Sequence, residues 1–90
     1  MNMTEQQALS EIRGFYWRFR ALRPYQTARR RWLYRQIKKL RLYLVESGVD
    51  PEWVRLYCRF FSRLNPQTAR RLDAYAKKIG RPGAFEEPTS

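Results

Sequence analysis

The chain has 90 residues and a net charge of +11, from nineteen Lys and Arg against eight Asp and Glu, with one cysteine and no histidine. That length suits one small domain, and 43% hydrophobic content is too high for a globally disordered chain. Without histidine there is no imidazole base or zinc ligand, and a lone Cys58 forms neither a disulfide framework nor a Cys-His nucleophile pair.

The N-terminus lacks a basic, then apolar, signal pattern. Thr4 followed by Gln7 forms a capping box and predicts a first helix over residues 5–22, ended by Pro24. Ala8, Ile12, Phe15, Phe19 and Leu22 alternate spacings of four and three, which puts them on one stripe. Trp17 lies roughly 160° from the centre of that stripe at 100° per residue. Arg13 and Arg20 flank it on one side, and the small residues Ser10, Gly14 and Ala21 on the other. A tryptophan so placed suits stacking on a base, or docking of a second helix, including a second copy of the chain, on the strip Ser10, Gly14, Trp17 and Ala21.

The second helix is expected over residues 27–46, with Gly48 closing it and Leu33, Ile37, Leu40 and Leu44 as its core face. Arg31, Arg35 and Lys38 fall on the far side with Lys39 beside them, while Arg30 and Arg41 flank the core stripe. Asp50-Pro51-Glu52 sets an acidic cap before a proline at the first helical position and predicts a third helix over 51–64. Its inward residues are Trp53, Val54, Tyr57, Phe60, Phe61 and Leu64, with Cys58 a small buried apolar group. Asn65-Pro66 repeats the cap-then-proline pattern for a fourth helix over 66–79, with Ala69, Leu72, Ala76 and Ile79 inward and Gly80 as its stop. The expected architecture is all-α, a compact bundle of four helices forming a single domain over residues 1–80, with a flexible tail over 81–90. The stretch NPQTARRLDAYAKKIG resembles the closing helix of lambda-repressor-type helix-turn-helix domains. The resemblance rests on TARRL and the terminal glycine, and the chain lacks the tight turn and polar recognition helix that read bases.

Charge distribution carries the functional expectation. From Ile12 to Val45 there are eleven basic residues and no acidic one, while the rest of the chain holds eight of each. Fifteen of the nineteen cations are arginine, the side chain suited to bidentate phosphate contacts and to stacking. Like charges at i,i+4, as at Arg31 and Arg35, slightly destabilise a helix, so their accumulation points to a polyanionic ligand. The expectation is a non-enzymatic, cytoplasmic or nucleoid-associated protein that binds DNA or RNA mainly through residues 13–41. Arg13, Arg20, Arg23, Arg29, Arg30, Arg31, Arg35, Lys38 and Lys39 would face phosphates, and Trp17 would stack or meet a partner. No metal, cofactor or small-molecule substrate is implied. Two rival readings are a phage- or mobile-element-type inhibitor or adaptor docking on a larger nucleoprotein complex, and a peripheral protein on anionic lipid. The second is disfavoured because the large rings are spread over several helices.

Overall fold

The computed structural model describes residues 3–81, and within them four α-helices: α1 (Glu5–Ala21), α2 (Thr27–Glu46), α3 (Pro51–Arg63) and α4 (Pro66–Lys78). The chain is all-α as expected, and every helix boundary lies within one residue of its sequence signal. The chemistry of the boundaries explains why. Thr4 and Gln7 close a reciprocal capping box, with Thr4 N to Gln7 Oε1 at 2.9 Å and Gln7 N to Thr4 Oγ1 at 3.1 Å. Asp50 and Asn65 cap α3 and α4 by accepting from Trp53 N and Gln67 N, and each is followed by proline at a position with no N–H to satisfy.

Two helices end in Schellman motifs. At the end of α2, Gly48 takes φ +99° while its N–H and that of Val49 donate to Val45 O and Leu44 O. At the end of α4, Gly80 takes φ +78°, with Gly80 N and Arg81 N donating to Lys77 O and Ala76 O. These glycines are required because an L side chain at such φ is strained. The end of α3 breaks the pattern. Leu64 itself adopts the left-handed conformation (φ 54°) and is exposed. It therefore serves as a C-cap and not as the inward residue its spacing suggested, because the turn into Asn65-Pro66 rotates it off the helical face.

The chain forms two compact units, Met1–Val49 and Asp50–Ser90. In the first, α1 and α2 pair as a helical hairpin. Leu33, Ile37 and Leu44 of α2 are buried and Leu40 is half-buried. On α1 the buried strip is Ala8, Leu9, Ile12 and Tyr16, while Phe15, Phe19 and Leu22 are only half-buried. The two phenylalanines instead line the seam with α2: Phe15 meets Trp32 edge-on (6.0 Å, 82°) and Phe19 meets Tyr34 (6.1 Å, 61°). Tyr43 donates its hydroxyl to Met3 O and so ties the start of the chain to α2.

In the second unit α3 pairs with α4. Trp53 stacks on Tyr57 (5.0 Å, 27°), which in turn meets Phe61 at 4.6 Å, and Cys58 is a buried free thiol. Asp50 Oδ1 also accepts from Tyr75 Oη at 2.8 Å, so one carboxylate caps α3 and anchors α4. The N–H of Trp53, and then the Tyr75 hydroxyl, hold the Asp50 carboxyl below its usual value, and the same carboxylate raises that of Tyr75. Arg81, assigned by sequence to the tail, places its guanidinium 4.1 Å from the centre of the Trp53 ring. The remainder of the expected tail, residues 82–90, lies outside the described residues.

Candidate nucleic-acid interface

The cations divide unequally between the units. Met1–Val49 holds eleven Lys and Arg against the three acids Glu5, Glu11 and Glu46, whereas Asp50–Ser90 holds eight against five. In the second unit Arg55 is neutralised locally by Glu52, its Nε donating to Oε2 at 2.9 Å with Nη2 on Oε1. That pairing lowers the Glu52 carboxyl below its usual range. No such acid exists in the sequence between Ile12 and Val45.

On α2, Arg29, Arg31, Arg35, Lys38 and Lys39 are all exposed, and so are Arg13 on α1 and Arg23 in the connection. Arg20 and Arg30 are drawn in. Both are half-buried, Arg20 lying 5.5 Å from the Trp17 ring centre and Arg30 5.0 Å from that of Phe19. Their guanidinium groups lie against rings, whereas Arg23, Arg29, Arg31, Arg35, Lys38 and Lys39 stand exposed.

Trp17 is 70% exposed, as its place on the helical wheel suggested. Ser10, Gly14 and Ala21 are exposed beside it. A Cβ built on Gly14 meets no atom within 4 Å. Gly14→Ala should therefore stabilise α1 by roughly 0.5–1 kcal/mol, read as a rise in the melting temperature by circular dichroism. If the small-residue strip seats a second copy, the same variant will also weaken self-association in sedimentation equilibrium.

Sequence reading missed two contributors, Arg18 and Trp32. Trp32 is 51% exposed although it stands beside the core residue Leu33. It sits about 110° from the centre of the α2 core stripe at 100° per residue, a displacement the wheel could have revealed. Both residues line a groove of about 590 Å³ at the α1–α2 connection, together with Ala21, Leu22, Ala28, Arg29 and Leu33. The groove exists because the chain turns tightly over residues 23–26, where Gln26 N donates to Arg23 O and Gln26 Oε1 accepts from Arg23 N. Gln26 thus spends its side chain on the turn, and α2 begins without a side-chain cap or an acid in its first turn. Cations at that helix end are unfavourable by a few tenths of a kcal/mol each. Two further rings near the connection are exposed, Tyr25 at 78% and Tyr34 at 58%.

Among the described residues, no group of three Cys, Asp or Glu is placed to hold a metal ion, and no helix is long and apolar enough to cross a membrane. Comparison of the chain with protein-family models, with curated proteins and with solved structures gave no match.

Proposed function

We propose that this is a nucleic-acid-binding protein without enzymatic activity, acting in a reducing, cytoplasmic compartment, whose α1–α2 hairpin neutralises phosphates. The observation that carries the reading is the exposure of Arg31, Arg35, Lys38 and Lys39 on one helix inside a segment that contains no acid. Uncompensated like charges of this density raise the free energy of the isolated hairpin, and a polyanion relieves that cost while its counterions are released. Arg23 and Arg29 extend the charged surface around the connection, and Arg13 adds to it on α1. Trp17, with Arg20 beside it, supplies a stacking face.

The test is fluorescence anisotropy of labelled duplex DNA, single-stranded DNA and hairpin RNA, repeated from about 50 to 200 mM salt. A log–log salt slope near −4, corresponding to roughly five neutralised phosphates, with a preference among the three ligands, is the expected result. Weak binding that disappears alike on all three by physiological salt would sink the proposal.

A second reading, a protein-docking inhibitor or adaptor, is favoured by one observation. Trp17 and Tyr25 are far more exposed than large rings usually are, and Trp, Tyr and Arg are the residue types that dominate protein interfaces.

A further inference from the structure

We infer that the groove at the α1–α2 connection is a nucleobase site, so that the ligand of this protein is a single-stranded or looped nucleic acid. The inference rests on the phosphate-binding reading and deepens it. Three features of the groove converge on that occupant.

The first is the wall. Trp32 lines the groove, is half exposed, and meets the Phe15 ring edge-on, so its indole is an accessible ring with an aromatic neighbour across the hairpin. Stacking on a fixed aromatic ring is how proteins take up unpaired bases. The second is the charge. Apart from Arg18 on α1 and Arg29 on α2, the lining is Ala21, Leu22, Ala28, Trp32 and Leu33, all apolar. One cation contributed by each helix suits a flat apolar group carrying a phosphate on either side, which describes a nucleotide within a strand. The third is continuity. Arg35 and Lys39 follow Trp32 at three and seven positions, which keeps them on its side of α2. Both are exposed, so a backbone leaving the groove meets further cations along the helix.

A volume of about 590 Å³ lies within the ordinary range for small-ligand sites and accommodates a base with its sugar. Paired bases inside a duplex are stacked on their neighbours and cannot enter it, so the site selects for unpaired ones.

The test compares short labelled single strands bearing bases throughout, the same strands with a central run of abasic tetrahydrofuran residues, and the corresponding duplex. Wild-type protein should bind the base-bearing strand roughly 5- to 150-fold more tightly than the abasic one, the range expected from one stacked base. Trp32→Ala should narrow that difference by at least about 5-fold without changing the salt slope, because Arg18 and Arg29 remain, whereas Trp17→Ala should leave most of it. Trp32→Phe, which keeps a ring against Phe15, should retain part of the discrimination and guards against a folding defect in the alanine variant.

Equal binding of base-bearing and abasic strands by wild-type protein overturns the assignment, as does discrimination undiminished by Trp32→Ala or a preference for the duplex. Salt-dependent but base-blind binding removes only the groove, whereas absence of salt-dependent binding to every oligonucleotide removes the phosphate reading and this inference with it. Trp32-dependent capture of an acidic, phenylalanine-containing peptide in place of any oligonucleotide would make the groove a protein site and overturn the proposal.

Discussion

Replacing Arg31, Arg35 and Lys38 together by glutamate will lower affinity for nucleic acid by roughly 10²–10³-fold near 0.1 M salt and flatten the log–log salt slope by about 2 to 3. Each residue lies exposed on α2 in the acid-free segment, so each contributes about one neutralised phosphate. The fold should not suffer. A carboxylate at position 35 precedes Lys39 by four residues and one at 38 precedes Arg41 by three, which are attractive spacings on a helix. Affinity and stability should therefore move independently, with the melting temperature held or slightly raised. An unchanged affinity and slope would show that this face is solvated charge with no polyanionic partner.

Tyr57→Ala will cost about 3–5 kcal/mol of stability, the range for removing a large buried ring. Tyr57 is 2% exposed and sits between Trp53 and Phe61, so its loss leaves a cavity bounded by two rings that cannot collapse without leaving α3. Against a total stability of about 5–15 kcal/mol, that is a third or more of the whole over most of the range. Urea denaturation followed by circular dichroism measures it, and Tyr57→Phe, which keeps the ring, should lose far less. A loss below about 1 kcal/mol for the alanine variant would show that the α3 ring stack is not the core of its unit.

The relation between these two predictions reflects how differently charge and packing are written into the chain. Charge placement is local, since the absence of acids from Ile12 to Val45 is visible without any fold. Helix boundaries are local too: a capping box, an acidic cap before Pro51 and a glycine after a helix each act within a few residues. For that reason Thr4, Asp50, Asn65, Gly48 and Gly80 all perform the roles their neighbours imply. The wheel likewise sufficed for Trp17, because exposure on the side opposite a buried strip depends on one helix alone.

The groove and the inner ring contacts belong to a different order of information. Phe15 and Phe19 continue the apolar stripe of α1, yet they end half-buried on the α2 seam while Leu9 and Tyr16 are buried. Periodicity gives the direction of a side chain from its own helix axis and says nothing about where a second helix crosses. Arg30 of α2, indistinguishable in sequence from its exposed neighbours, is drawn onto Phe19 of α1 by that crossing, and Arg81 is brought onto Trp53 by the fold of its own unit, whereas Arg20 meets Trp17 within α1 at a spacing the sequence already showed. The sequence by itself determined four helices, their ends and the concentration of positive charge, because these follow from hydrogen bonds and charges only a few residues apart. The tertiary structure alone decided that Arg30 lies against Phe19 and that Arg18, Arg29 and Trp32 share one groove, because that depends on how α1 and α2 meet across a tight turn.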